Sequence, residues 1–368
     1  MLLGELLRLH SCKTRPTPMF IGFCPSLSHK REFMSSESLV RADVDFERQG
    51  KQFGNLAVPQ STNSAGWAKR FIPVVVIKNG SGPTAVLFGG NHGDEFEGPV
   101  TLMNLARRLE PDQIQGRIIL VPMLNRPAVE VGTRLSPLDG CNMNRAFPGR
   151  PDDTITGMIA HYVSSTILPM ADLVVDIHSG GSSTLFLPSV NMHEVENQEQ
   201  MRKMLDAGRA WGAPYVFIYR DVAGAGLLPT LAEQMGKVTL GTEMGSKSQF
   251  GVETLGITAR GVENVLDWAN ILKRSSASAP PEPQLVAATE EADYIMASAS
   301  GLFEPLCELG DEVKSGNRLG QIHSIEHPER APIPVLAQTN GMVMARRAIP
   351  LTLQGELVVA LVRPFEFS

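Results

Sequence analysis

Short β-branched runs alternate with helix-length amphipathic segments along most of the chain, and this alternation restricts the possible fold more than any other feature. Apolar runs typical of strands occupy residues 84–88 and 173–177, and apolar side chains at helical spacing occupy residues 153–170 and 198–211. Strands that alternate with helices build a mainly parallel sheet with helices on both faces. The sequence therefore predicts an α/β domain with a mixed, mainly parallel sheet, which we place at residues 41–275.

The pattern changes after residue 275. The segment 273–283 is rich in serine, alanine and proline, as linkers are. Beyond it, short strand-like runs are separated by glycines, and no helical period persists. We therefore expect a smaller all-β domain at residues 285–368.

Residues 1–40 show no periodicity that would predict a strand or a helix. The segment is basic and lacks the charged start, apolar run and small-residue cleavage site of a signal peptide. The first interpretation is a disordered extension that precedes Met34 as the natural first residue. A transit peptide is the alternative.

Composition and charge exclude several classes of partner. The chain has 368 residues and a formal charge of −6, which gives no reason to expect binding to nucleic acid or to an anionic membrane. No apolar stretch is long enough to cross a bilayer. The four cysteines follow neither a disulfide framework nor zinc-finger spacing, as is typical of a reducing compartment. We therefore expect a cytoplasmic protein without nucleic-acid or membrane partners.

A histidine and a carboxylate follow the first of the predicted buried strands. The sequence Gly-Gly-Asn-His-Gly-Asp-Glu at residues 89–95 comes directly after that apolar run. Sites in open α/β sheets form at this carboxyl end of the strands. His92 and Glu95 are close enough in sequence to contact one small cation, and two histidines with a glutamate are a known catalytic zinc ligand set. His178, which ends the second apolar run, is the candidate third ligand.

Asp176 lies two residues before His178. On a strand this spacing puts both side chains on the same face, where a carboxylate can hydrogen-bond a metal-bound imidazole and fix its tautomer. A buried aspartate bonded to the backbone is the alternative interpretation. Each of these residues taken alone has such a structural explanation, so the prediction of a metal site depends on their combination.

Four blocks of the chain share their pattern with one enzyme family. They are Asn-His-Gly-Asp-Glu at 91–95, Met-Asn-Arg-Ala-Phe-Pro-Gly-Arg-Pro at 143–151, Asp-Ile-His-Ser-Gly-Gly at 176–181 and Thr-Glu-Met-Gly at 242–245. Together they resemble the succinylglutamate desuccinylase/aspartoacylase family, the deacylase branch of the zinc carboxypeptidase superfamily. Within it they most resemble the enzymes that deacetylate N-alpha-acetyl-L-2,4-diaminobutyrate in ectoine breakdown.

The resemblance implies a role for each candidate residue. One zinc ion per chain would be held by His92, Glu95 and His178, which leaves the fourth position of a tetrahedral site open for water. Glu243 would be the general base that takes a proton from this water and passes it to the leaving nitrogen.

The same resemblance implies that a second group of residues recognises the substrate. Asn144 and Arg145 would bind the substrate carboxylate, which a guanidinium matches with two parallel hydrogen bonds. Arg134 would stabilise the oxyanion of the tetrahedral intermediate. A surface role for Arg134 is the alternative.

The predicted reaction is hydrolysis of the amide bond of a short N-acyl amino acid, in particular N-alpha-acetyl-L-2,4-diaminobutyrate. Its only expected partner besides this small molecule is a second copy of the chain in a homodimer. Another deacylase of the aspartoacylase or succinylglutamate desuccinylase type and a zinc carboxypeptidase are the enzymatic alternatives. A binding protein that kept the fold without catalysis is the third hypothesis, although the complete ligand set and Glu243 argue against it.

Overall fold

Strands and helices alternate as predicted through the first two thirds of the protein. The computed structural model describes residues 37–220, 224–246, 250–273 and 280–367. Most of the predicted N-terminal extension and the centre of the predicted linker lie outside these ranges.

The strands are numbered in chain order. They are β1 (Arg41–Ala42), β2 (Gly50–Thr62), β3 (Ala65–Asn79), β4 (Thr84–Gly89), β5 (Gly116–Val121), β6 (Leu173–Ile177), β7 (Thr184–Phe186), β8 (Ser189–His193), β9 (Tyr215–Tyr219), β10 (Val238–Glu243), β11 (Gln284–Ala288), β12 (Tyr294–Met296), β13 (Gly301–Pro305), β14 (Glu312–Val313), β15 (Arg318–His323), β16 (Ile333–Leu336), β17 (Gly341–Arg347), β18 (Leu351–Thr352) and β19 (Leu357–Pro364).

The helices cluster in the first two thirds of the described chain. They are α1 (Glu97–Arg108), α2 (Arg126–Val131), α3 (Ile155–Tyr162), α4 (Gln198–Trp211), α5 (Leu228–Gln234) and α6 (Val252–Trp268). None of the described helices has the combination of length and apolarity needed to cross a membrane.

The main sheet is mixed, with a parallel centre. Its order is β1-β2-β3-β5-β4-β6-β10-β8-β9-β11-β19-β17-β14 among the described strands. The strands β5, β4, β6 and β10 are mutually parallel, and β8, β9 and β11 form a second parallel group that runs antiparallel to β10. The expected α/β architecture is confirmed. The carboxyl ends of β4, β6 and β10 lie side by side.

The central strands are buried on both faces, which explains why they are continuous apolar runs. Along β4, for example, Leu87 packs into one apolar layer and Phe88 into another. The first layer lies beneath α1, α4 and α6, and the second beneath α3 and α5. Alternate residues of a strand point to opposite faces, so the two layers sandwich the sheet.

The outer part of the long β2–β3 hairpin was not predicted from the sequence. β3 pairs with β5 only over its last five residues, from Val75 to Asn79, whereas β2 pairs with it along almost its whole length. The outer part of the hairpin therefore buries few side chains, and Trp67 near its tip is 99% exposed. Alternation of apolar and polar residues in a sequence reflects burial of one face of a strand. The outer hairpin therefore shows little of this alternation.

Helix α1 begins at Glu97 and tolerates Pro99 in its first turn, because proline there lacks only an N–H that would be unpaired anyway. One helix prediction needs correction. The segment 153–170 is not one regular helix, since a wide π-helical turn (Val163–Ile167) and a 3-10 turn (Leu168–Met170) follow α3. The hydroxyls of Ser164 and Ser165 donate to carbonyls four residues earlier, which loosens a helix at that point.

The C-terminal part is β-rich, as predicted, and it continues the main sheet. β11 pairs with β9 on one side and with β19 on the other. A separate four-stranded sheet, β16-β15-β13-β18 among the described strands, covers a small apolar core with β17 and β19. One continuous sheet thus runs through both predicted domains, and the division at residues 275–285 stays a prediction.

The contact between α4 and α6 leads to a stability prediction. Gly261 lies against the indole of the buried Trp211, and a Cβ at Gly261 would be 2.0 Å from Trp211 Nε1. Gly261→Ala should therefore overpack this contact and lower the free energy of unfolding by about 1–3 kcal/mol. Gly256→Ala is the matched control in the same helix, because its Cβ would meet only the end of the flexible Arg260 side chain.

The control should raise the free energy of unfolding by about 0.4–1 kcal/mol, as alanine usually does at a compatible helical position. Urea unfolding followed by circular dichroism measures both variants. Equal effects of the two substitutions would show that the Trp211 contact does not determine helix packing.

Candidate active site

The candidate residues converge at the carboxyl ends of β4, β6 and β10. His92 and Glu95 stand in the loop between β4 and α1, and His178 directly follows β6. Glu243 is the last residue of β10. Asp176 of β6 lies opposite Gly241 of β10 in the parallel register. Adjacent parallel strands thus bring together residues that are about 150 positions apart in sequence.

Three side chains form a compact group of potential metal donors. One donor atom each from His92, Glu95 and His178 can be chosen so that all lie within 4.8 Å of one another. Glu95 Oε1 is 2.8 Å from His92 Nδ1, and Glu95 Oε2 is 2.7 Å from His178 Nδ1. Zinc bonds of 2.0–2.2 Å in a tetrahedral site put donors roughly 3.4 Å apart. This group has the size that a small divalent cation requires.

The other ring nitrogen of each histidine faces an oxygen. His178 Nε2 is 2.8 Å from Asp176 Oδ2, and His92 Nε2 is 3.1 Å from Asn142 Oδ1. A carboxylate or amide oxygen can only accept, so Nε2 of a neutral imidazole must carry the hydrogen there. Both Nδ1 atoms then present lone pairs to Glu95. Lone pairs and a carboxylate at these distances repel one another unless a cation or a proton lies among them.

The buried carboxylates of the donor group and of Asp176 favour a positive charge at this place. Burial alone would raise the pKa of Glu95, but the adjoining His92 and His178 hold it well below its ordinary value. Burial alone would lower the pKa of His178, but the carboxylates of Asp176 and Glu95 raise it well above the ordinary value. Without a metal, a proton on His178 offsets the buried negative charge. A divalent cation can take the place of this proton.

Backbone and side-chain contacts hold the donors in place. Asn91 donates from Nδ2 to Asp176 Oδ2 at 2.9 Å, and the backbone N–H of Ser179 donates to Glu95 Oε2 at 3.2 Å. Gly93 packs so closely against α2 that a Cβ would be 2.0 Å from the Ala128 carbonyl carbon. The loop between β4 and α1 is therefore clamped between the sheet and α2.

Glu243 lies near the donors, and its Oε2 is buried and makes no hydrogen bond within the described residues. Burial raises the pKa of Glu243 to about 8, and the charge of Glu95 also raises it. A bound cation would lower this pKa. A change in the charge of the neighbouring groups would therefore decide whether the Glu243 carboxyl group is protonated.

The remaining predicted residues all reach the same place. Arg134 Nη1 is 3.2 Å from His92 Nδ1 and 3.5 Å from Glu95 Oε1, with the side chain 45% exposed. Asn144 is buried, and its Oδ1 accepts the Leu228 backbone N–H at 2.9 Å. Arg145 donates from Nη1 to the Asn144 carbonyl oxygen at 2.6 Å. Arg134 thus contacts the donor group while much of its side chain stays exposed.

These residues line one cavity of about 190 Å³. The candidate donors, Glu243 and the three predicted polar residues form part of its wall. The rest of the wall consists of Phe186, Asn191, Phe217, Tyr219, Arg220, Leu227, Pro229, Gly241, Tyr294, Leu357 and Ala360.

The sequence analysis named neither Asn142 nor several of the residues that line the cavity. Asn142 stands two residues before the predicted Asn144 and caps the turn there, as asparagine often does. Tyr294, Leu357 and Ala360 belong to β12 and β19 in the C-terminal part, and no local pattern marks them. Their place at the cavity follows from the return of β19 to the main sheet.

A comparison with protein families gives a match over the catalytic region. Residues 81–269 match the succinylglutamate desuccinylase/aspartoacylase catalytic domain. The chain is also 39% identical over 311 residues to a protein from Halomonas elongata named N-alpha-acetyl-L-2,4-diaminobutyric acid deacetylase. That alignment covers 84% of this chain and 91% of the relative.

Solved structures give the same result. The product-bound ectoine utilization protein EutE (DoeB) from Ruegeria pomeroyi superposes with a TM-score of 0.85 at 36% identity, covering 89% of this chain and 99% of that one. A succinylglutamate desuccinylase/aspartoacylase from Rhodobacter sphaeroides gives a TM-score of 0.83 at 38% identity, covering 89% of this chain and all of the other. The family resemblance seen in the four sequence blocks is confirmed over most of the described fold.

The family match spans about half of the chain, and the similarity to the relative from Halomonas extends over most of it. The chain therefore belongs to the succinylglutamate desuccinylase/aspartoacylase family of amide-hydrolysing enzymes.

Proposed function

We propose that the protein is a zinc-dependent deacetylase of N-alpha-acetyl-L-2,4-diaminobutyrate. One observation carries this proposal: three donor atoms converge at the wall of a cavity that Glu243 and Arg145 also line. Metal donors, a general base and a carboxylate-binding group are what hydrolysis of an N-acyl amino acid requires. The names of the relatives from Halomonas elongata and Ruegeria pomeroyi support the choice of substrate.

Zinc is the proposed ion, with one per chain on His92, Glu95 and His178. Two histidines and one glutamate are a known catalytic zinc set, and the facing lone pairs fit it. When bound, zinc lowers the pKa of its water towards ~7 and polarises the substrate carbonyl. Asp176 would hold the His178 ring in the orientation that binding requires.

Glu243 is the proposed general base. Its carboxylate lines the cavity close to the donor group, and one of its oxygens has no hydrogen-bonding partner among the described residues. That oxygen is available to take a proton from the attacking water and to deliver it to the leaving nitrogen. A raised pKa suits a group that must hold the proton between these two events.

Arginines are the proposed recognition groups for the negative charges of the substrate. Arg145 lines the cavity and would bind the α-carboxylate through its planar fork, with Asn144 beside it. Arg134 lies against the donors, where it would stabilise negative charge that develops on the carbonyl oxygen. The two guanidiniums would thus bind different oxygens of the substrate, those of the α-carboxylate and that of the acyl carbonyl.

The cavity also suits an amino acid with a cationic side chain. Four aromatic residues, Phe186, Phe217, Tyr219 and Tyr294, are among those that line it. Aromatic faces attract ammonium groups, and the free γ-amino group of the substrate is one. A second candidate function is deacylation of a dicarboxylate such as acetylaspartate. Arg220 favours it, because a third arginine in the lining of the cavity would suit a second carboxylate.

Assembly and location also belong to the proposal. We propose a homodimer in the cytoplasm, in line with the scattered cysteines and the small-molecule substrate.

A substrate panel tests the proposed function. The zinc-loaded protein should release amine from N-alpha-acetyl-L-2,4-diaminobutyrate with a higher kcat/KM than from acetylaspartate, succinylglutamate or a blocked dipeptide. Removal of zinc by a chelator should abolish turnover, and added zinc should restore it. Preference for a dicarboxylate would favour the role of Arg220, and preference for the dipeptide would favour a carboxypeptidase. Absence of turnover on all four would favour a binding protein.

A conservative substitution tests the general base. Glu243→Gln keeps the shape of the side chain but cannot accept the proton, so kcat should fall by about 10²–10⁴-fold while zinc content stays the same. Glu194→Gln is the matched control, because Glu194 is exposed just after the neighbouring strand β8. Steady-state kinetics and metal analysis measure the two variants. A Glu243→Gln enzyme with the kcat of the parent would transfer the role to another group.

A further inference from the structure

Asn142 connects the two halves of the candidate active site. Its Oδ1 accepts a hydrogen bond from the backbone N–H of Asn144 at 2.9 Å and lies 3.1 Å from His92 Nε2. His92 belongs to the proposed metal group. Asn144 belongs to the 3-10 turn Met143–Arg145, which carries the proposed carboxylate-binding side chains.

The backbone contact determines which way the Asn142 amide points. An N–H of the main chain can only donate, so the side-chain atom that faces Asn144 must be the oxygen. The same oxygen faces His92, and it can only accept there as well. His92 Nε2 must therefore carry the hydrogen. The lone pair of the neutral ring is then left on Nδ1, which faces Glu95.

The turn that Asn142 caps determines where Arg145 points. Met143 and Asn144 are buried, and the Asn144 side chain is tied to the start of α5 through the Leu228 N–H. Arg145 donates to the carbonyl oxygen of Asn144, so its guanidinium moves with the turn. Loss of the cap would free the Asn144 N–H and loosen this arrangement.

We infer that Asn142 is a positioning residue that couples metal binding to recognition of the substrate carboxylate through one amide oxygen. The inference rests on the proposed function for the identity of metal and substrate. Its physical content is that a single side chain holds the tautomer of His92 and the turn beneath Arg145. A residue with only one of these roles would affect only one of the two.

Three variants separate the two roles. Asn142→Ala removes both contacts. Asn142→Ser keeps a good cap for the turn but has a side chain too short to reach His92. Asn91→Ala is the matched control, because Asn91 supports the other histidine through Asp176 and lies outside the turn.

Two measurements need no substrate. Zinc affinity, measured by competition with a chelator, should fall about 10–100-fold in all three variants, as it does on loss of outer-shell partners. Hydrogen–deuterium exchange of a peptide that covers residues 143–147 should accelerate in Asn142→Ala only. Thermal unfolding of each variant verifies that the fold is retained. If Asn142→Ala does not fold, the zinc affinity of Asn142→Ser still tests the contact with His92.

A third measurement uses the proposed substrate at saturating zinc. KM for N-alpha-acetyl-L-2,4-diaminobutyrate should rise about 3- to 30-fold in Asn142→Ala, the effect expected for loss of a cap, and should rise less in Asn142→Ser, which keeps the cap. Parental zinc affinity in both Asn142 variants would overturn the link to His92. Parental exchange and KM in Asn142→Ala would overturn the link to the turn. If zinc affinity and exchange respond but the parent does not hydrolyse this substrate, the proposed function fails and the coupling stands.

Discussion

The site depends on buried carboxylates and histidine nitrogens that meet at the carboxyl ends of three parallel strands. Burying an isolated carboxylate is costly, yet Glu95 and Asp176 are buried, and one oxygen of the nearby Glu243 is buried as well. The hydrogen bonds of Asp176 and Asn142 turn the Nδ1 atoms of two histidines towards this charge. A divalent cation would satisfy His92, Glu95 and His178 at once. The same arrangement in an ordinary protein core would be destabilising.

The sheet makes this arrangement possible because its centre is rigid and apolar. β4, β6 and β10 are buried on both faces, so their carboxyl ends are held at fixed spacing while the loops beyond them carry the polar groups. The C-terminal strands add Tyr294, Leu357 and Ala360 to the lining of the cavity. The β-rich part thus forms part of the cavity wall.

Much of the fold and of the site could be predicted from the sequence, for physical reasons that differ from residue to residue. Continuous apolar runs predicted β4 and β6 because burial on both faces leaves no other pattern. His92, Glu95 and His178 could be predicted because metal chemistry restricts residue types at strand ends. The outer β2–β3 hairpin could not, since few of its side chains are buried. Asn142 could not be ranked either, because its importance depends on a contact 50 residues away in sequence.

The central claim is that the histidines bind one metal ion through their Nδ1 atoms. The most direct measurement is a crystal structure of the zinc-loaded protein, with anomalous diffraction recorded at the zinc absorption edge. The account predicts a single anomalous peak per chain, at about 2.0–2.2 Å from Nδ1 of His92, Nδ1 of His178 and the Glu95 carboxylate. A zinc ion bound through Nε2 of either histidine, or located away from these three side chains, would contradict it.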